Sequence, residues 1–149
     1  SGLPRHKTCE ALAAAGKTLV AGVYPRDERA RPADDDRATL HPKSAILLST
    51  DEGRSWKAVN MGLPEDFRVD VLISSGPNFI AALGGHDHKF GPSFVGLYLS
   101  TDGGESWTFD WPGKWLAAPI CEFRVDETYL YAATLGAGVW RLPLSALKK

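Results

Sequence analysis

The sequence has little cysteine, almost no net charge and no long hydrophobic run. Two cysteines, Cys9 and Cys121, are too few for a disulfide framework. A net charge of −1 gives no reason to expect nucleic acid or an acidic surface as a partner. No apolar stretch approaches the roughly 20 residues that cross a bilayer, and no signal peptide is visible. We therefore expect a soluble chain without a membrane partner, in an unknown compartment, although Ser1 and Gly2 resemble a cloning remnant and a leader could have been removed.

What the chain does contain is glycine, proline and tryptophan, with 15, 10 and 5 residues respectively. This composition is typical of an all-β protein with many turns. The length of 149 residues predicts one domain, spanning residues 1–149.

One eight-residue segment occurs twice, at residues 49–56 and 100–107, with six identical positions. Each copy follows a short apolar run, and serine, aspartate and glycine between apolar segments are typical of a turn. The carboxylates of Asp51 and Asp102 are expected to accept backbone N–H groups within the turn. The tryptophan that ends each copy is expected to cover the turn with its indole. A period near 50 residues indicates a repeat architecture.

Both copies fit the pattern Ser-x-Asp-x-Gly-x-Ser/Thr-Trp and so resemble the Asp-box, or BNR, repeat of sialidase-like β-propellers. In that family the segment is a structural turn between the third and fourth strands of a blade, remote from the binding centre. The resemblance implies a structural role for eight residues, which are Ser49, Asp51, Gly53, Trp56, Ser100, Asp102, Gly104 and Trp107.

The resemblance also implies three blade units, at about residues 8–60, 67–111 and 119–145, each built on a four-stranded antiparallel sheet. In the first two units we predict strands at residues 9–14, 18–23, 44–48, 56–59, 69–74, 79–83, 94–99 and 107–111. The third unit lacks its turn and outer strand, and its strands are predicted at residues 120–125, 129–134 and 138–142. Residues 10–15 have the composition of a helix, but the repeat favours a strand there.

Three such units leave two open faces, because propellers close with about four to eight blades. We expect a partial propeller that a second copy of the chain completes, as a homodimer, to a ring of about six blades. The alternatives are a fragment of a longer propeller and closure on a different subunit. The missing outer strand of the third unit could come from an N-terminal segment of the partner, or the last blade could have three strands.

On a propeller the loops between second and third strands share one face, which is where ligands bind in this family. Here these loops span residues 24–43, 84–93 and 135–137, and long loops in a compact repeat are usually functional or disordered. Aspartates 34–36 could hold calcium, although their spacing differs from that of a calcium loop. Four arginines of the first loop could bind an anionic ligand, or lie in a solvated loop, and these are Arg26, Arg29, Arg31 and Arg37.

The second loop holds His86, Asp87 and His88. Residues two apart share a face of an extended segment, so the two histidines could bind a divalent metal such as zinc, with His41 or Asp87 as a further ligand. Four ligands are needed and two are in place, so solvated histidines are the competing interpretation. No other cofactor is expected.

Five further residues are candidates for the same face or for the channel. Trp115 could stack on a sugar ring, although packing is the commoner role of a loop tryptophan. Arg68 and Arg124 lie in two copies of the sequence Phe-Arg-Val-Asp, which we interpret as a feature of each blade whose arginines could meet an anion in the channel. Cys9 and Cys121 are expected at equivalent inner-strand positions, as buried thiols.

The sequence favours a non-catalytic module that recognises a glycan, peptide or protein on the face carrying loops 24–43 and 84–93. The first alternative is a sialidase-like glycoside hydrolase. The family's Phe/Tyr-Arg-Ile-Pro motif is absent, and its arginine triad and catalytic carboxyl groups cannot be placed on the sequence. The second alternative is a structural or assembly scaffold.

Overall fold

The computed structural model describes residues 7–25, 44–65, 67–85, 93–110 and 118–147. These residues form eleven strands and one short 3-10 helix, arranged as three antiparallel sheets. The prediction of an all-β chain built from small antiparallel sheets is therefore confirmed. No helix of the described residues is long and apolar enough to cross a membrane.

In every sheet the strands lie side by side in chain order. The first sheet contains β1 (Lys7–Ala15), β2 (Thr18–Pro25), β3 (Ala45–Ser49) and β4 (Lys57–Ala58). The second contains β5 (Arg68–Ser75), β6 (Asn78–Gly85), β7 (Ser93–Ser100) and β8 (Thr108–Phe109). The third contains β9 (Ile120–Val125), β10 (Tyr129–Thr134) and β11 (Gly138–Pro143), followed by the 3-10 helix η1 (Leu144–Leu147). A strand occurs at each of the eleven predicted positions, and the fourth strands β4 and β8 are shorter than predicted.

The alanine-rich segment β1 is a strand because small residues are needed where the first two sheets meet. Ala13 pairs with Val20 of β2, and both are buried against the second sheet. A Cβ added at Gly22 of β2 would lie 2.5 Å from the Cβ of Val69 in the second sheet. Packing between the sheets thus outweighs the helix propensity of residues 10–15.

The three sheets pack in chain order, with their first strands next to one another. β1 contacts β5, and β5 contacts β9. One core cluster, which includes Val20, Phe79 and Trp107, joins the first and second sheets. Another, which includes Ile80 and Phe123, joins the second and third. The middle sheet therefore packs one face on the first sheet and the other on the third, as expected of repeated units that bury their surfaces on their neighbours.

Each first strand carries a β-bulge at the same place. The register between the first and second strands shifts once in every sheet, and the extra residues are Glu10, Asp70 and Cys121. The first strand of each sheet forms its last pair before the hairpin turn at Ala15, Ser75 or Asp126. In every sheet the bulge residue lies five positions before that residue. Because a bulge fixes the register around it, the three sheets can be superposed residue by residue from these positions.

The repeated eight-residue segment folds as a turn with corresponding hydrogen bonds in both copies. The hydroxyl of buried Ser49 donates to Asp51 Oδ1 and accepts from the N–H of Gly53, both at 2.8 Å. The Asp51 carboxylate also accepts from the N–H and the hydroxyl of Ser55, at 2.8 and 2.6 Å. The second copy makes the corresponding bonds through Ser100, Asp102, Gly104 and Ser106. The predicted role of the two aspartates as acceptors within the turn is confirmed.

The two tryptophans of these turns differ. Trp56 donates its indole N–H to the carbonyl of Gly53 at 3.1 Å and therefore covers its own turn, as predicted. Trp107 is 3% exposed and belongs to the core between the first two sheets. Its indole N–H is buried without a hydrogen-bond partner among the described residues, while its backbone N–H donates to Met61 O at 3.0 Å. The second tryptophan therefore anchors the connection between two sheets.

The two turn aspartates should make the stability of the fold depend on pH in the acidic range. Hydrogen bonds from Ser55 and Ser49 lower the pKa of Asp51 to about 2. Burial alone would raise the pKa of Asp102, but hydrogen bonds from Ser106, Ser100 and the N–H of Glu105 together hold it at about 2. Since an unfolded aspartate titrates near 3.9, the stability from both groups is present above that pH and is lost as the pH falls towards 2.

Urea unfolding measured between pH 5 and pH 2 tests this dependence. We expect the stability of the unmodified chain to fall over that range. The Asp51→Asn/Asp102→Asn variant should be less stable at pH 5 and should show a flatter pH profile. A profile as steep in the variant as in the unmodified chain would mean that other carboxyl groups carry the acid sensitivity.

The third sheet ends in a different way from the other two. The turn of the second sheet places Gly104 against Val20 and Leu48 of the first sheet. The equivalent residues of the second sheet, Ile80 and Leu99, instead line a cleft of about 500 Å³ that the helix η1 borders. The helix therefore stands where a third copy of the turn would pack.

Candidate functional site

A groove of about 440 Å³ runs along the first strands of all three sheets. The three bulge residues Glu10, Asp70 and Cys121 line it, together with Glu122 and Arg124. A β-bulge re-aims a side chain and is frequent next to functional sites. The described structure therefore brings polar groups from all three repeats to one concave surface.

The less exposed of the two ion pairs at this groove is formed by Arg68 and Asp70. Arg68 Nε donates to Asp70 Oδ1 at 2.6 Å, and the Asp70 side chain is only 10% exposed. This hydrogen bond is the main reason that the pKa of Arg68 is raised. A Cβ at Gly84 of β6 would lie 2.4 Å from Asp70 Oδ2, so the glycine leaves the space that the carboxylate occupies. The pair holds one wall of the groove in place.

Removing one partner of this pair should lower the free energy of unfolding more than removing both. We expect Arg68→Ala to lower the free energy of unfolding by about 1–3 kcal/mol, because it leaves a nearly buried carboxylate unpaired. Arg68→Ala/Asp70→Asn should recover most of that loss, since no charge then remains in the wall. Urea unfolding of the two single variants and the double variant measures the coupling. An equal decrease in the free energy of unfolding for Arg68→Ala and for the double variant would show that the ion pair does not stabilise this wall of the groove.

Arg124 is held differently from Arg68. Its guanidinium lies 2.5 Å from Glu122, and both side chains are more than half exposed, so this ion pair adds little stability. Arg68 begins β5, whereas Arg124 lies one residue before the end of β9. The two Phe-Arg-Val-Asp copies therefore occupy different positions in their sheets, and their interpretation as a shared blade feature is wrong. Each of the two arginines is paired with a carboxylate, and their binding of an anion stays a prediction.

The positions of the cysteines also differ from the prediction. Cys121 is the bulge residue of β9 and corresponds to Glu10, whereas Cys9 lies one residue earlier in β1. Both thiols are exposed, so the expectation of buried cysteines is wrong for this chain. The equivalence inferred from the sequence is displaced by one residue because it matches the letters Thr-Cys-Glu and Ile-Cys-Glu, whereas counting back from the hairpin turns pairs Cys121 with Glu10.

The remaining predicted ligand residues lie outside the described residues. The described parts of the chain contain no group of three histidine, cysteine or carboxylate side chains that could hold a metal. The metal and loop-face predictions therefore stay predictions for Arg26, Arg29, Arg31, Arg37, His41, His86, Asp87, His88, Trp115 and aspartates 34–36.

Sequence reasoning missed three groove residues, Glu10, Asp70 and Glu122. A partial signal exists for Glu10 and Glu122, because Thr-Cys-Glu at residues 8–10 is echoed by Ile-Cys-Glu at residues 120–122. The comparisons with protein-family models and with curated proteins find no match. Function is therefore inferred from the repeat and from the groove.

Proposed function

We propose that the chain is a non-catalytic recognition module of the Asp-box propeller type, which binds a glycan, peptide or protein. The ligand face is the one that carries loops 24–43 and 84–93, and the groove between the first strands is the floor of the site. The observation that carries this proposal is the set of three equivalent bulges, whose side chains all line one groove.

The charge of the groove suggests which ligand groups it accepts. Glu10, Asp70 and Glu122 contribute three carboxylates, of which Asp70 is paired with Arg68 and Glu122 with Arg124, so one carboxylate remains in excess in this part of the structure. Carboxylates accept hydrogen bonds and attract cations, so the groove suits sugar hydroxyls or the amine and guanidinium groups of a peptide. An anionic sugar acid is disfavoured on this floor, which weighs against the sialidase-like hydrolase.

We further propose that a second copy closes the ring. The second sheet packs Val71 and Ile73 on the third sheet. At the equivalent positions the third sheet has Glu122 and Arg124, while the first sheet leaves Leu12 59% exposed at the other end. A head-to-tail contact between these two end faces would be more polar than the interfaces within the chain. We therefore expect a reversible dimer whose population depends on concentration.

A glycan array and a library of basic and neutral peptides, each probed with the full chain, test the proposed function. We expect binding to a neutral or basic ligand and no turnover of a fluorogenic sialoside. Glu10→Gln should weaken binding of the best array ligand at least threefold, whereas Glu105→Gln, in a turn remote from the groove, should leave it unchanged. Sialoside turnover would favour the hydrolase, and a chain that binds no probe but recovers a protein partner would favour the scaffold.

A further inference from the structure

The third sheet has an edge that the other two sheets cover. In the first sheet β3 pairs with β4, and in the second β7 pairs with β8. Among the described residues, β11 is the last strand of its sheet and pairs only with β10. This edge is separate from the groove, because β11 lies on the opposite side of the sheet from β9, whereas the side chains of Val139 and Arg141 share a sheet face with Glu122 and Arg124.

The shared register identifies the backbone groups of this edge. Trp140 of β11 corresponds to Leu47 of β3, since both pair with equivalent residues of the second strand. Val139 therefore corresponds to Ile46, whose carbonyl accepts from the N–H of Val59 at 2.9 Å and whose N–H donates to Asn60 Oδ1 at 2.9 Å. The backbone N–H and carbonyl groups of Val139 and Arg141 point away from β10 in the same way.

We propose that this edge binds an extended segment of a partner protein, which adds to β11 as an antiparallel fourth strand. Strand addition of this kind takes its affinity from backbone hydrogen bonds and its specificity from alternate side chains. Pro143 has no N–H to donate. The residues of β3 that pair with β4 correspond to Trp140 and Arg141, which precede Pro143, so the proline removes none of the hydrogen bonds that join β3 to β4.

The side chains beside the edge define the partner sequence. The residue opposite Arg141 should be acidic, because Arg141 is exposed and opposite charges on facing strands stabilise a sheet. The next residue, opposite Trp140, should be aromatic, as Phe109 is opposite Tyr98 with ring centroids 5.5 Å apart. The fourth residue should be asparagine, which would accept from Val139 as Asn60 does from Ile46. The expected partner segment therefore contains an acidic residue, an aromatic residue, any residue and an asparagine, in that order. A tryptophan should precede it, as Trp56 and Trp107 precede β4 and β8.

A second copy of the chain is a poorer occupant of this edge. Two copies paired through β11 would place their Arg141 side chains on one face of the joined sheet, at neighbouring cross-strand positions. Like charges in such positions are destabilising. A separate protein that carries the acidic sequence avoids this repulsion, and the proposal commits to that source.

The test titrates the isotope-labelled full chain with a short peptide containing Trp-Glu-Phe-Val-Asn and follows the amide resonances by NMR. We expect saturable shifts centred on Val139 and Arg141. Exchanging the peptide's glutamate for lysine should weaken binding about fivefold, which is the order expected from one cross-strand charge pair. In the Arg141→Glu variant the preference should reverse, so that the lysine peptide binds more tightly.

Two further controls decide the outcome. Val139→Pro should abolish binding while the rest of the spectrum keeps the dispersion of a folded protein, and a scrambled peptide should not bind. Shifts of the same size with the scrambled peptide, or no preference reversal in Arg141→Glu, would overturn the proposal. Concentration-dependent shifts at Val139 and Arg141 without peptide that persist in Leu12→Arg, whose charged end face disfavours ring closure, would also overturn it, because they would assign the edge itself to a second copy.

Discussion

Gly62→Ala is expected to destabilise the chain by about 3–5 kcal/mol, combining backbone strain with the loss of a buried backbone hydrogen bond. Gly62 has φ +87° and lies in the connection between the first and second sheets. A Cβ at this position would lie 1.7 Å from the carbonyl oxygen of Trp107, so the connection must move away from the turn. That movement breaks the bond from Trp107 N–H to Met61 O, which is 3.0 Å long.

Thermal unfolding followed by circular dichroism measures this effect. The melting temperature of Gly62→Ala should fall by roughly 10 °C. Gly16→Ala is the matched control, because Gly16 also has positive φ, at +60°, but a Cβ there meets nothing within 4 Å. The control should lose only about 1 kcal/mol from backbone strain. Similar losses in the two variants would contradict the close contact between the connection and the second turn.

Trp107→Ala is expected to be the most destabilising change within the repeated turns. Trp107 is 3% exposed in the core between the first two sheets, so its removal should cost about 3–5 kcal/mol. Trp56 occupies the same position of the first turn but is only partly buried, on a small cluster around Ala21 and Leu47. Trp56→Ala should therefore cost about 1–2 kcal/mol.

Urea unfolding of both alanine variants and of Trp107→Phe separates volume from hydrogen bonding. Phenylalanine keeps part of the buried surface and removes an indole N–H that has no partner among the described residues. Trp107→Phe should therefore retain most of the stability. Equal losses for Trp56→Ala and Trp107→Ala would show that the two tryptophans have the same structural role, which the difference in burial contradicts.

The strands were predictable because the repeated turn supplies an anchor in the sequence. Once residues 49–56 and 100–107 are recognised as equivalent, the apolar runs around them fall into strands, including residues 10–15 despite their alanine content. The serine and aspartate contacts of the turn follow from spacing alone, since Asp51 and Asp102 reach residues within their own segment. Local chemistry of this kind is encoded within a few neighbouring residues.

The groove was less predictable because it depends on register and on neighbouring sheets. A bulge has no characteristic sequence, and matching Cys121 with Cys9 by identical neighbouring letters misses that its structural equivalent is Glu10. The two Phe-Arg-Val-Asp copies misled for the same reason, since identical letters occur at different strand positions. The different burial of Trp56 and Trp107 is set by contacts between sheets, which a local pattern does not contain.

The mass of the full chain in solution tests the proposed half ring most directly. Size-exclusion chromatography with light scattering, run over a range of protein concentrations, should show a species of about twice the 16.2 kDa of one chain, in equilibrium with the single chain. Leu12→Arg, which places a charge on the exposed end face of the first sheet, should shift that equilibrium towards the single chain without unfolding it. A folded species that stays at 16.2 kDa at every concentration would contradict closure by a second copy.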